Sequence, residues 1–215
     1  MSPSRFTAAH RLYGILDINV LAARTLAPED VCVAWLSAGI RLIQLRAKTL
    51  QSGAMLELAI RLAGLCREAG AIFIVNDRAD IARLSSSAGV HVGQDDLSPA
   101  DARLVVGADA VVGMSTHGTE QLARALDQSV DYVAIGPVFA TASKERPDPV
   151  VGLDMVRAAR AIAEPSERMV VAIGGITIER APLVIEAGAS SVAVISDLMA
   201  DDPEARARAF LRALA

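Results

Sequence analysis

The sequence predicts one α/β domain, a (β/α)8 TIM barrel of parallel strands. Three observations carry that prediction. Strand-like and helix-like segments alternate along the whole chain, eight of each kind, with no composition break or linker between them. The strands are short aliphatic runs rather than polar–apolar alternations, as expected where both sheet faces are covered. The chain is 53% hydrophobic but only 3% aromatic, so the core is built from Ala, Val, Leu and Ile. Right-handed βαβ steps repeated eight times close most simply into a barrel. The alternative is an open doubly wound sheet, which would call for a GxGxxG after the first strand; none is present.

The elements follow in order. Strands are expected at Leu12–Leu16, Leu42–Leu45, Ile72–Val75, Val90–Val92, Ala110–Gly113, Tyr132–Ile135, Val170–Ile173 and Val192–Ile195. Most are bounded by Gly, Asn, Asp or Ser. Ala54, Met55, Leu58, Ala59, Leu62, Leu65, Cys66 and Ala69 recur at helical spacing between the second and third strands. Further helices are expected at Pro28–Ala38, Ala79–Ser85, Pro99–Val105, Thr119–Asp127, Asp154–Ala163, Glu179–Ala187 and Pro203–Leu214. Pro28, Pro99 and Pro203 suit the first turn, where the missing N–H costs nothing. Residues 1–11 read as a flexible N-terminal tail, and residues 12–215 as the barrel.

Composition narrows the function. A net charge of −4 makes nucleic acid a poor partner, and no apolar run is long enough to span a membrane. Cys32 and Cys66 fall in apolar helical patterns and read as buried thiols, with no zinc-like spacing. The first eleven residues lack the apolar stretch of a signal peptide, so a cytoplasmic protein is the expectation. Of 21 basic residues only Lys48 and Lys144 are lysines; the other 19 are Arg. An ammonium and a guanidinium are not interchangeable, so those two positions stand out.

In a barrel of this kind the chemistry sits at the C-terminal ends of the strands. After the second strand, alternation puts Gln44, Arg46 and Lys48 on one side and Leu45 and Ala47 on the other. Two cations converging there read as a polyphosphate clamp, with an internal salt-bridge network as the alternative. Asn76-Asp77 follows the third strand and Gly93-Gln94-Asp95-Asp96 the fourth. Asp77 and Asp96 could share one Mg²⁺ with phosphate oxygens; the alternative is helix capping. Ser115 and His117 follow the fifth strand, Ser115 as a phosphate donor and His117 as an acid–base or packing group. His91 lies inside the fourth strand and reads as a core or wall histidine. After the sixth strand comes a long non-periodic loop, 136–149, holding Thr141, Ser143 and Lys144. Gly174-Gly175 follows the seventh strand and Ser196 the eighth, where barrels often hold a phosphate. A glycine phosphate site opposite a cationic, carboxylate-bearing site implies two phosphorylated substrates or one large one.

These residues resemble the thiamine phosphate synthase family. The matching stretches are LYGILD (12–17), GIRLIQLRAK (39–48), VNDRAD (75–80), GVHVGQDDL (89–97), GMSTH (113–117), YVAIGPVFATASK (132–144), AIGGI (172–176) and AVIS (193–196). The resemblance implies joining of hydroxymethylpyrimidine diphosphate to thiazole phosphate by Mg²⁺-assisted dissociative substitution. It implies that Gln44, Arg46, Lys48, Asn76, Ser115 and Lys144 bind the pyrimidine diphosphate, while Asp77 and Asp96 hold Mg²⁺. It implies Thr141, Ser143, Gly175, Ile195 and Ser196 for the thiazole phosphate, with Tyr13 and His91 walling the pyrimidine. Ser143 stands where the family has Thr, keeping a hydroxyl; Asp197-Leu198-Met199 departs from the family's small-residue continuation. The partners expected are small molecules, and self-association stays open. The competing readings are a thiazole tautomerase, a non-catalytic thiazole-phosphate binder and another phosphate-handling barrel such as a sugar-phosphate epimerase. The first two have no need of the Gln44–Arg46–Lys48 clamp or the Asp77–Asp96 pair; the epimerase would call for paired acid–base groups or a different metal set.

Overall fold

The computed structural model describes residues 6–141 and 149–215. Eight parallel strands close into a barrel in sequence order. They are β1 (Leu12–Asp17), β2 (Leu42–Arg46), β3 (Ile72–Asn76), β4 (Gly89–Val92), β5 (Val111–Thr116), β6 (Tyr132–Ile135), β7 (Met169–Ile173) and β8 (Ser191–Val194). The helices are α1 (Ile18–Ala23), α2 (Pro28–Ala38), α3 (Ser52–Glu68), α4 (Ala79–Leu84), α5 (Pro99–Val106), α6 (Thr119–Leu126), α7 (Gly152–Ala163), α8 (Ala181–Glu186) and α9 (Pro203–Ala213). Every expected strand is present; β1, β2 and β3 each run one residue further, through Asp17, Arg46 and Asn76, and β5 runs three further, through Thr116, so Ser115 lies within the strand and not after it. Pro28, Pro99 and Pro203 all open their helices.

Two differences from expectation have physical causes. α1 is an extra six-residue helix, too short to show a 3.6-residue period. It forms because the Asp17 carboxylate accepts hydrogen bonds from the Asn19 and Val20 amides and caps its first turn. The expected N-terminal tail packs against the barrel over its described part. Ala8–His10 forms a 3₁₀ turn, His10 is buried, and Phe6 meets Tyr132 edge-on at 5.8 Å. An aromatic that packs on the barrel interior holds down a terminus that has no strand to pair with.

Period-two alternation splits the apolar residues into two cores. Ile43, Leu45, Val75, Val133 and Val170 point outward and pack under the helices. Tyr13, Leu42, Ile74, Tyr132, Val171 and Ala193 fill the barrel interior. Trp35 of α2 packs flat on β1, where a Cβ on Gly14 would lie 2.6 Å from its ring. Cys32 and Cys66 are free buried thiols, 3.9 Å apart at sulfur between α2 and α3. Among the described residues no helix is long and apolar enough to cross a membrane.

Candidate active site

A cavity of about 790 Å³ opens at the C-terminal ends of the strands and extends into the barrel mouth. That volume is within the range of small-molecule sites. The expected residues Tyr13, Gln44, Arg46, Lys48, Asn76, Asp77, His91, Asp96, Ser115, Thr141, Gly175, Ile195 and Ser196 all line it. Ser143 and Lys144 lie outside the described residues.

One wall is cationic. Alternation along β2 sends Gln44 and Arg46 inward while Leu45 and Ala47 are buried under the helices. Arg46 is anchored by an ion pair with Asp17, whose side chain is only 3% exposed. Asp17 therefore does two jobs at the end of β1: it caps α1 and fixes the guanidinium. Strand pairing places Asp17 directly beside Arg46. Lys48, two residues beyond the strand, lies 3.4 Å from the Asp77 carboxylate and is half exposed, so its ammonium remains free to reorient. The salt-bridge network that the sequence left as an alternative is present, and both cations line the cavity.

Beside the cations are the two carboxylates. Asp77 sits at φ +64°, and its amide donates to the His91 carbonyl at 2.8 Å. That left-handed turn brings the Asp77 carboxyl within hydrogen-bonding reach of Asp96. Burial pushes the Asp77 carboxyl above its ordinary range; Lys48 pulls it down, and Asp96 pushes it up again. Neither residue caps a helix. Arg78 occupies the N-cap position of α4 and Ser98 caps α5, while Asp96 accepts from the Gly93 amide at 2.7 Å. Two crowded carboxylates on the cavity wall fit one hard divalent cation completed by ligand oxygens. Among the described residues no group of three or more His, Cys, Asp or Glu forms a fuller cage.

The opposite wall, on the β7–β8 side, is glycine and small polar groups. Gly174 and Gly175 hold φ +103° and +60°, and a Cβ on Gly175 would lie 2.4 Å from the Ala140 carbonyl. Only glycine lets this turn pass under the loop after β6. Ser196 opens a 3₁₀ turn over Ser196–Leu198, and Ile195 precedes it. Arg180, which the sequence did not single out, stacks on Phe139 at 4.7 Å and donates to the Gly175 carbonyl at 2.8 Å. Asp197 is braced by Arg206 at 2.6 Å and accepts from the Ile178 amide. That pairing accounts for an acidic residue after the last strand.

Between the two walls a row of polar side chains crosses the barrel. Gln44 Nε2 donates to Tyr13 Oη at 2.8 Å, Tyr13 Oη and Tyr132 Oη are 3.0 Å apart, and Tyr132 Oη meets His91 Nδ1 at 2.9 Å. His91 Nε2 then meets Ser115 Oγ at 2.8 Å. His91 is thus a buried wall histidine, as expected. His117 also lines the cavity and turns its Nδ1 to the Gly136 carbonyl at 2.7 Å.

The fold and the cavity define a (β/α)8 barrel enzyme whose site sets a cationic, carboxylate-bearing wall against a glycine-bearing one. The comparisons with known proteins agree. The family model described as thiamine monophosphate synthase matches residues 12–198, and the chain belongs to that family, as an enzyme of thiamine biosynthesis. A thiamine-phosphate synthase of Koribacter versatilis is 47% identical, covering 95% of each chain. A thiamine biosynthesis bifunctional protein of Symbiobacterium thermophilum is 45% identical over 91% of this chain, which spans only 40% of that longer protein. A solved thiamine phosphate pyrophosphorylase from Pyrococcus furiosus superposes with a TM-score of 0.84 at 30% identity, covering 96% of each chain.

Proposed function

We propose that this enzyme condenses 4-amino-2-methyl-5-hydroxymethylpyrimidine diphosphate with 4-methyl-5-(2-phosphoethyl)thiazole, giving thiamine phosphate and diphosphate. The observation that carries the reading is the placement of Arg46, Lys48, Asp77 and Asp96 on one wall of the cavity, across from Gly175 and Ser196. A diphosphate needs the first wall and a monophosphate the second.

The chemistry follows from charge and placement. The bond from the methylene carbon to the diphosphate oxygen breaks, and its electron pair leaves with the diphosphate. The lone pair of the thiazole nitrogen then forms the new C–N bond. No protein nucleophile is needed, and nothing is oxidised or reduced. Arg46, held as a fixed fork by Asp17, binds the diphosphate through its remaining N–H groups. Lys48 follows the negative charge as it builds on the leaving group, which its half-exposed stem permits. Asp77 and Asp96 would hold Mg²⁺, which supplies further positive charge to the diphosphate. Gln44, Asn76 and Ser115 orient the pyrimidine diphosphate, and Tyr13 and His91 form the wall against its ring. The Gly175 backbone with Thr141 and Ser196 fixes the thiazole phosphate, so that the ring nitrogen faces the methylene carbon. The resemblance extends the sites to Lys144, for the diphosphate, and Ser143, for the thiazole phosphate.

The test mixes both substrates with the enzyme in Mg²⁺ or in EDTA. Thiamine phosphate and diphosphate formed one for one, only with Mg²⁺, is the expected result. Thiazole phosphate binding with no product would overturn the reading in favour of a tautomerase or a binding protein.

A further inference from the structure

The polar row across the barrel has a direction. The Gln44 amide donates to Tyr13 Oη. Tyr13 is 1% exposed, and among the described residues its hydroxyl has one acceptor in reach, Tyr132 Oη at 3.0 Å. Tyr132, having accepted from Tyr13, sends its own proton to His91 Nδ1 at 2.9 Å. A neutral imidazole that accepts at Nδ1 carries its proton on Nε2. That N–H donates to Ser115 Oγ at 2.8 Å, and the Ser115 proton is left to point into the cavity. Run in reverse, the row would leave the Tyr13 hydroxyl proton with no acceptor while Gln44 donates to it, a costly arrangement in a buried site.

Tyr132 is the middle of this row, yet its fully buried ring forms no part of the cavity wall. The barrel makes room for it specifically. Gly113 pairs with Tyr132 across β5–β6, and a Cβ there would lie 2.0 Å from the phenol ring. The ring stacks on His91 with centroids 5.5 Å and planes 19° apart, and meets Tyr13 edge-on at 6.0 Å. Burial holds both phenols above their ordinary range, so both remain hydroxyls over the physiological range.

We propose that Tyr132 is a positioning residue: it carries the donor polarity of Gln44 through Tyr13 to His91, fixes the His91 proton on Nε2, and thereby turns the Ser115 hydroxyl into an obligate donor to the anion bound in the cavity. The catalytic consequence rests on the reaction proposed above; the proton assignment does not. The row also holds the Gln44 amide so that its oxygen, an acceptor, is the atom left for ligand. One relay thus sets an acceptor at one side of the pocket and a donor at the other. A hydroxyl aimed in advance costs no reorientation when negative charge develops on the leaving diphosphate.

The experiment is ¹⁵N NMR of the imidazole rings, with His91 assigned by the signal lost in His91→Asn. The wild-type ring is expected as the Nε2–H tautomer. Gln44→Glu, which can accept but not donate, is expected to reverse the row and move the His91 proton to Nδ1. Tyr132→Phe removes one oxygen from the middle and is expected to leave a tautomer mixture. In that variant kcat should fall about tenfold, with KM for the thiazole phosphate within about twofold. An Nδ1–H ring in the wild type, or a tautomer indifferent to both substitutions, would overturn the proposal. If Tyr132→Phe fails to fold, the wild-type and Gln44→Glu spectra decide alone. If the enzyme proves to lack the proposed activity, the tautomer result stands independently of it.

Discussion

Removing a charge from the site is expected to make the protein more stable while destroying its activity. Asp77→Asn is the change. Asp77 is crowded against a second carboxylate and held above its ordinary value of 3.8 first by burial. Its side chain is 25% exposed and that of Lys48, 3.4 Å away, 54%. The lost ion pair is therefore worth about 0–1 kcal/mol after solvent screening. Against that, Asn ends the repulsion with Asp96, and its NH₂ donates to the Asp96 carboxylate, a gain of about 1.5–3 kcal/mol if fully formed. Asn also tolerates the φ of +64°. The net is about 1 kcal/mol of added stability without divalent cation, or about 2–4 °C in Tm for a chain of this size. The pH dependence has a definite sign. A carboxyl whose pKa is raised on folding binds its proton more tightly in the native state, so wild-type stability falls as pH rises from 3.8 through the raised value. The advantage of Asp77→Asn should therefore widen across that window and then level off. Calorimetry in EDTA from pH 3.5 to 8, beside turnover in Mg²⁺, checks this. Added Mg²⁺ should raise the wild-type Tm and not that of the variant, and turnover should fall at least about 100-fold. A variant less stable than wild type in EDTA, or one turning over at near-normal rate, would refute the reasoning.

Other substitutions separate the remaining parts of the site. Lys48→Ala should lower turnover about 100-fold while leaving the thiazole phosphate Kd within about threefold, since a leaving-group cation acts in the transition state; single-turnover kinetics beside equilibrium binding measure both. Gly175→Ala would put a Cβ 2.4 Å from the Ala140 carbonyl at φ +60°. It should cost about 2–4 kcal/mol in urea unfolding and raise KM for thiazole phosphate well above that for the pyrimidine diphosphate. Asp17→Ala removes the α1 cap and leaves Arg46 without its carboxylate, a loss of about 3 kcal/mol in the same assay; Asp17→Asn, which keeps an acceptor for the cap, should lose less.

The barrel was legible because it depends on period and count. Eight aliphatic runs separated by helical spacing leave few alternatives, and the strand-end rule then points to Arg46, Lys48, Asp77, Asp96 and Gly175. What stayed hidden depends on register. Asp17 joins Arg46 only through the β1–β2 alignment, and the helix it caps is too short to show a period. Tyr132 reads as one more apolar strand residue until β5–β6 pairing sets it over Gly113 and against His91. The order of residues 8–10 also escaped notice, since one Phe anchored to the barrel interior leaves no periodic trace. Arg180 was lost among 19 arginines. Its stacking on Phe139 brings together the loops after β6 and β7, which lie apart in the sequence.

The central claim is a division of labour, with diphosphate on the β2–β4 wall and monophosphate on the β7–β8 wall. The measurement that tests it most directly is a crystal structure of the enzyme with diphosphate, Mg²⁺ and the thiazole phosphate bound together. The expected density has diphosphate against Arg46 and Lys48, the cation on Asp77 and Asp96, and the thiazole phosphate on Gly175 and Ser196. Diphosphate seated on the glycine wall, or a cation bound away from both carboxylates, would contradict the account.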